Sequence, residues 1–372
     1  MSLVFTTAPA EVRTKPAAAP QPKLIGIQYL RALAAMMIVV LHLDHQLRGM
    51  GYTGPWLSGL SGGVDIFFVI SGFIMWVTTV DRPVTPLQFW SRRIARVVPL
   101  YWLLTSFLVL VMVVAPQLLQ TARFDLSHVI GSYLFLPVIH PATGLFQPVV
   151  IPGWTLQYEM LFYLVFGAFL FTAGRARFYA PVVVLMGLVA LGAALRLDAQ
   201  APLAFWTSDL LMEFAFGMAL GWAATRRRVM SEAAVGLGWL LLAGGMAAIL
   251  LLAETTASLP RSMTAGLSSV AVVAGVLVLE ARGKLRQIPV LHLLGDASYS
   301  IYLTHVVTLS AMGQAWRRLG LDASPAGLAM FCLAAVLVST IAGVICYGLV
   351  ERPLNRHFGV GVRTGAKAQA AL

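Results

Sequence analysis

Ten stretches of this chain are apolar for long enough to cross a membrane, and few polar side chains interrupt them. They lie near 25–47, 57–80, 98–119, 154–173, 179–197, 205–224, 234–253, 262–281, 290–311 and 325–350. A helix rises 1.5 Å per residue, so ~20 apolar residues span a hydrocarbon core of about 30 Å. In lipid the backbone must satisfy its own hydrogen bonds, which makes each run a helix. The pattern predicts an all-α polytopic membrane protein, a single bundle of about ten transmembrane helices. One weaker stretch, Val129 to Ile139, is too short to span. With His140, Pro141, Pro148 and Pro152 around it, it is expected to be a re-entrant or interfacial element roofing one face of the bundle.

Composition agrees: hydrophobic residues make up 59% and charged ones 11%, against about 45–50% and 25% in soluble domains. The net charge of +11 would suit nucleic acid only if it were clustered on a soluble face, and it is not. Of the 26 basic residues, Arg13, Lys15, Lys23, Arg82, Arg92, Arg93, Arg96, Arg175, Arg177, Arg226 to Arg228, Arg282, Lys284, Arg286, Arg352, Arg356, Arg363 and Lys367 fall on one side of the runs. Only Arg48, Arg123, Arg196, Arg261, Arg317 and Arg318 fall on the other. The positive-inside rule then places both termini of this multi-pass protein in the cytoplasm. Residues 1–23, rich in Ala and Pro, read as a disordered cytosolic tail. Residues 24–357 read as the membrane domain and 358–372 as a second cytosolic tail. The first run is too long for a signal-peptide core and lacks a small-residue cleavage site, so it is retained. Cys332 and Cys346 fall on one helix roughly 21 Å apart, too far for a mutual disulfide.

Chemistry enters with the polar residues inside the runs. Arg31 and His42 share the first run, about 20° apart around a helix and roughly 16 Å apart along it. A cation in hydrocarbon costs at least ~2.5–3.5 kcal/mol, so such a pair is by default a functional site. The plainer alternative is an arginine that snorkels to the headgroups and a packed core histidine. The second run holds Gly62-Gly63-Val64-Asp65 and Ser71-Gly72, where the glycines suit close helix packing and Asp65 requires a partner. The fourth opens Trp154-Thr155-Leu156-Gln157-Tyr158-Glu159, and the ninth holds Ser298-Tyr299-Ser300-Ile301-Tyr302-Leu303-Thr304-His305. His42, Asp65, Glu159 and His305 thus form a candidate polar cluster from four helices. Arg92, Arg93 and Arg96, before Pro99-Leu100-Tyr101-Trp102, are either a topology signal or a phosphate site, since guanidinium groups bind phosphate bidentately. Asp209 and Glu213 are expected to pair with arginines or line a cavity. His42 and His45 lack further ligands at convincing spacing, so no metal is implied.

Together these motifs resemble the acyltransferase family 3 integral-membrane O-acyltransferases. The resemblance rests on Arg31 through His42, Gly63 to Phe73, Arg92 to Trp102, Trp154 to Tyr163, Ser298 to His305 and Glu351-Arg352-Pro353. It runs from about 24 to 357. The opening Ile27-Gln28-Tyr29-Leu30-Arg31-Ala32 resembles the branch that acetylates bacterial exopolysaccharides. The resemblance implies an acyl-CoA donor, usually acetyl-CoA, used as substrate rather than as a resident cofactor. It implies a sugar hydroxyl as acceptor, on a polysaccharide or a lipid-linked sugar, with His42 as the catalytic histidine and Arg93 with Arg96 in the donor site.

The expected layout puts the donor's phosphates at the cytoplasmic arginines and its pantetheine arm along the Arg31 face, with the acyl end approaching His42. Neutral imidazole is a suitable general base near pH 7, and a covalent acyl-histidine is the variant. Glu159 or Asp65 would orient the imidazole; Ser71, Tyr299 or Tyr302 would supply oxyanion donors, and His305 shares their neighbourhood. The rival readings are a transporter or flippase of a glycolipid or polysaccharide precursor, and an acyltransferase for a lipid or small molecule.

Overall fold

The computed structural model describes residues 24–119, 123–226, 234–255 and 259–359. The tail expected over 1–23 lies outside them, as does nearly all of 358–372. In chain order the helices are α1 (Ile25–Leu41), α2 (Leu43–Arg48), α3 (Gly62–Thr79), α4 (Pro86–Val114), α5 (Leu126–Tyr133), α6 (Trp154–Ala168), α7 (Ala176–Leu195) and α8 (Pro202–Trp206). They continue with α9 (Leu211–Arg226), α10 (Val235–Thr255), α11 (Leu267–Ala281), α12 (Pro289–Asp296), α13 (Ser298–Arg318), α14 (Pro325–Cys346) and α15 (Arg352–His357). No strand forms among the described residues. Each of the ten apolar runs is helical, and eight helical stretches are long and apolar enough to cross a membrane. The two that fall short, α6 and α13, are the shorter and the more polar, and both carry side chains of the candidate site.

Three boundaries differ from the sequence reading. The third helix starts at Pro86 rather than near 98, because Pro86 occupies its first turn and Thr85 with Gln88 closes a capping box. Arg92, Arg93 and Arg96 therefore ride on α4 itself. The ninth run is split at Ala297 into α12 and α13. The first helix is interrupted at His42, whose Nδ1 lies 2.8 Å from the Ile38 carbonyl that its own backbone N–H also reaches at 3.1 Å. The imidazole thus shares the Ile38 carbonyl with the ladder bond of its own residue.

Helix α3 lies at the centre, two thirds of its apolar window buried, whereas α7 and α10 bury only 17% and face outward. A reciprocal close approach fixes α3 on α9. A Cβ on Gly72 would fall 2.1 Å from the Phe214 carbonyl oxygen, and one on Gly217 would fall 2.0 Å from that of Val69. The expected packing role of Gly72 is therefore correct. The start of α1 is closed from far along the chain: the Glu280 carboxylate, at the end of α11, accepts from the backbone N–H groups of Ile25 at 2.6 Å and Gly26 at 3.2 Å. The segment after α4 forms a roof at the end of the bundle opposite the arginines. There α5 is followed by irregular chain tied down by Tyr101 Oη to the Ser132 carbonyl and Gln157 Nε2 to the Leu136 carbonyl. Both cysteines lie unpaired on α14, as their spacing required.

Candidate active site

Helices α1, α3, α4, α6 and α13 line a chamber of about 460 Å³ that reaches Arg31, Arg93 and Arg96. Arg31 from α1 and Arg93 with Arg96 from α4 line it, opposite Glu159 and Tyr163 of α6. Ser71 donates to Glu159 Oε1 at 3.3 Å, Tyr163 donates to the same oxygen, and Arg31 reaches Gln28 Oε1 at 3.3 Å. The Arg93 guanidinium stacks near the Phe89 and Tyr163 rings, 5.6 and 5.8 Å from their centroids, and its Nε is buried without a partner. The chamber lining thus holds three guanidinium groups and the Glu159 carboxylate, a donor set suited to an anion's oxygens.

At the far end of the chamber the Phe67 and Tyr302 rings meet edge to face at 5.7 Å, and beyond Tyr302 lies His305, ring centroids 5.9 Å apart. His305 and His42 are in turn neighbours, with ring centroids 4.9 Å apart. Their hydrogen bonds assign the tautomers. His305 Nδ1 lies 2.6 Å from the Tyr302 carbonyl and must donate to it, which leaves its Nε2 as an acceptor. That nitrogen is 3.3 Å from His42 Nδ1, which also faces the Ile38 carbonyl at 2.8 Å. His42 therefore carries its proton on Nδ1, and its Nε2 keeps a lone pair with no hydrogen-bond partner among the described residues. His42 lines a second, open cleft that Arg31, Arg93 and Arg96 do not line.

The structure thus brings Arg31, Arg93, Arg96, Ser71, Glu159, Tyr299 and Tyr302 to one chamber and pairs His42 with His305. It does not assemble the expected four-helix cluster. Asp65 is fully buried and bound at both oxygens by Arg261, Nε to Oδ1 at 2.9 Å and Nη2 to Oδ2 at 2.6 Å. It neutralises a cation and does not touch His42. Asp209 accepts from the Ser262 backbone N–H beside that pair, and Glu213 is fully buried against Gly266. Glu159 is committed to Tyr163 and Ser71, so the group beside His42 is an imidazole and not a carboxylate. The expected oxyanion donors are likewise engaged. Ser71 donates to Glu159, Tyr299 to the Val97 carbonyl at 2.7 Å, and Tyr302 lies 3.0 Å from Thr155 Oγ1 and 3.2 Å from the Pro152 carbonyl.

Sequence reasoning missed Arg261 and Tyr163. Tyr163 stands four residues after Glu159, the spacing of helical neighbours, and that signal was available. Arg261 was not identifiable, since nothing local links it to Asp65 almost two hundred residues earlier. Glu351, read in the sequence only as part of the Glu351-Arg352-Pro353 motif, is buried and accepts from Ser300 Oγ at 2.6 Å. A π turn over Tyr347–Glu351 carries it inward.

An arginine-lined chamber and a histidine whose Nε2 has no hydrogen-bond partner among the described residues, both within a helical membrane bundle, fit a group-transfer enzyme. Comparison with known proteins agrees: residues 24–345 match the acyltransferase domain, and the chain belongs to acyltransferase family 3. It is a multi-pass membrane acyltransferase. It is 40% identical over 306 residues, 82% of this chain and 92% of the relative, to the exopolysaccharide production protein ExoZ of Rhizobium meliloti (strain 1021). It is 29% identical over 182 residues to the O-acetyltransferase OatA of Staphylococcus aureus (strain NCTC 8325 / PS 47), covering 45% of this chain and 29% of that protein. The peptidoglycan O-acetyltransferase OatA of Listeria monocytogenes serovar 1/2a (strain ATCC BAA-679 / EGD-e) is 29% identical over 161 residues, 39% of this chain and 24% of its own. No solved structure matches.

Proposed function

We propose that this protein moves an acetyl group from acetyl-CoA to a hydroxyl of a cell-surface polysaccharide or its lipid-linked precursor, with His42 as general base. The positive-inside bias supports an arginine chamber on the cytoplasmic side of a bacterial inner membrane and a His42 cleft on the other. The single observation carrying the reading is the position of His42. It stands between an arginine-lined chamber and an open cleft, with Nδ1–H held by a carbonyl and Nε2 available. Family membership favours an enzyme over a carrier, and the relatives named for exopolysaccharide production and O-acetylation support the acceptor class.

In this mechanism Arg93 and Arg96 hold the phosphates of coenzyme A, and Arg31 lines the path of the pantetheine arm. The acyl end passes the Phe67–Tyr302 pair to reach His42. Nε2 takes the proton of the acceptor hydroxyl as its oxygen attacks the thioester carbonyl. The tetrahedral adduct collapses, the carbon–sulfur bond breaks, and the departing thiolate recovers the proton from the imidazolium. The products are an O-acetyl ester and coenzyme A. The Ile38 carbonyl and His305 Nε2 face Nδ1–H and stabilise the cationic ring, the role a carboxylate plays in a serine-hydrolase triad. The test is purified protein in lipid discs with labelled acetyl-CoA and envelope fractions. Release of coenzyme A together with label in the saccharide supports the reading; saccharide movement without thioester cleavage refutes it.

A further inference from the structure

The transfer just proposed needs an acceptor hydroxyl at His42 Nε2, and the donor chamber ends at Phe67 and Tyr302. The cavity that His42 itself lines is an open cleft of about 530 Å³, bordered by Leu41, Asp44, His45, Arg48, Trp56 and Ser58. That volume lies within the ~300–1,000 Å³ of small-molecule sites. Resting on the acyl-transfer reading, we infer that this cleft is the acceptor seat and that it takes a saccharide, with Trp56 against the sugar ring and the Asp44–Arg48 pair on its hydroxyls.

The argument begins with register. Leu41, Asp44, His45 and Arg48 recur at the spacing of one helical face, which presents them together, while Leu43, Gln46 and Leu47 turn inward and are buried. Asp44 and Arg48 form a partly exposed pair, Nε to Oδ1 at 3.0 Å. Arg48 is held further by the Tyr52 carbonyl at 3.4 Å and by the Tyr52 ring, 5.6 Å from the guanidinium carbon. Asp44 Oδ2 and Arg48 Nη2 have no partner among the described residues. An acceptor and a planar donor side by side match two neighbouring hydroxyls, one giving and one receiving a hydrogen bond. Trp56 packs on the cluster of Leu43, Leu47 and Leu309 and stands edge to face with Tyr52 at 6.3 Å, so its position is set before any ligand arrives. An aromatic ring suits the C–H face of a sugar. A lipid alcohol would call for apolar walls, and this cleft has only Leu41 and Trp56 against Asp44, His45, Arg48 and Ser58.

The experiment uses full-length protein in lipid discs with labelled acetyl-CoA. Two acceptors are supplied: base-deacetylated envelope polysaccharide from the producing cells, and the lipid fraction of the same envelopes. Wild type is expected to label the polysaccharide. Trp56→Ala and Arg48→Ala are each expected to raise the acceptor KM about tenfold or more with kcat within about threefold, while acetyl-CoA affinity stays at the wild-type value. Trp56→Phe keeps a flat ring and is expected to recover most of the loss. Arg48→Lys loses the planar fork and is not. Unchanged acceptor KM in both alanine variants, or label confined to sugar-free lipids of the lipid fraction, overturns the saccharide seat. Wild-type discs that bind acetyl-CoA yet release no coenzyme A with either acceptor overturn the transfer reading itself, a result distinct from the first.

Discussion

Among single residues, His42 carries the sharpest expectation. In the proposed mechanism it acts at the reacting carbonyl, while the donor's phosphates would lie some three helical turns away. His42→Ala should abolish acyl transfer and leave acetyl-CoA affinity within about twofold, measured by calorimetry on the disc-embedded protein; a variant with near wild-type transfer would remove the proposed base. His305→Phe keeps an aromatic ring and deletes the nitrogen facing His42 Nδ1. It should lower kcat about tenfold or more, the low end of general-base contributions, with donor affinity unchanged. The Asp65–Arg261 pair belongs to stability instead. Removing one partner of a fully buried pair costs about 3–5 kcal/mol, and Arg261 keeps 36% of its side chain exposed. Asp65→Asn should therefore cost about 2–3 kcal/mol, read as a lower thermal midpoint, while the folded fraction keeps its kcat. Loss of kcat at full stability would return Asp65 to the chemistry.

Elements differ in how far the sequence reveals them. The ten apolar runs were legible because helix in lipid is enforced by the backbone itself. The start of α4 was not, since Thr85, Pro86 and Gln88 write it in capping residues outside the apolar window. The glycines of the second run announced close packing, and Gly72 against the Phe214 carbonyl is that packing. Gly72→Ala and Gly217→Ala each drive a methyl into backbone and should lower the thermal midpoint, each by about 1–3 kcal/mol of overpacking; unchanged midpoints would mean the α3–α9 crossing can open freely. The roof gives a pH-dependent case. His140 is buried and stands beside His128, ring centroids 5.1 Å apart; burial, with the neighbouring imidazole second, holds its pKa below the ordinary 6.5. The folded roof thus binds His140's proton less readily than the open chain. Its stability should be full above pH 6.5 and fall as the pH drops below it. Hydrogen exchange over 126–150 would show faster opening at pH 5 than at pH 7.5, and His140→Phe should flatten the difference.

For the whole molecule, the charge bias and the proposed donor site draw on the same arginines. Arg93 and Arg96 line the chamber, whereas Arg92 does not. Replacing Arg93 and Arg96 by Ala should weaken acetyl-CoA binding at least tenfold per residue, since each charge-assisted contact is worth about 1.5–3 kcal/mol. Replacing Arg92 alone should leave binding unchanged; equal effects from all three would mean the arginines act only as a topology signal. The site was legible as an inventory of residues but not as an arrangement. Arg31, His42, Glu159 and the tyrosines declare themselves as polar groups in apolar runs. Their pairings join helices distant in sequence: Asp65 with Arg261, His42 with His305, and Ser300 with Glu351.

The cap on α1 has a consequence for the order in which the molecule is made. The carboxylate that closes the start of this helix belongs to Glu280, 255 residues downstream of Ile25. At about 5–20 residues per second, the ribosome needs roughly 13 to 50 seconds to deliver it. During that interval the helix bearing the reactive histidine is already in the bilayer with its first N–H groups unclosed. The earliest part of the enzyme to be synthesised is thus among the last to be fastened, and a nascent chain stopped before α11 would hold every arginine of the chamber without the fastening that completes it.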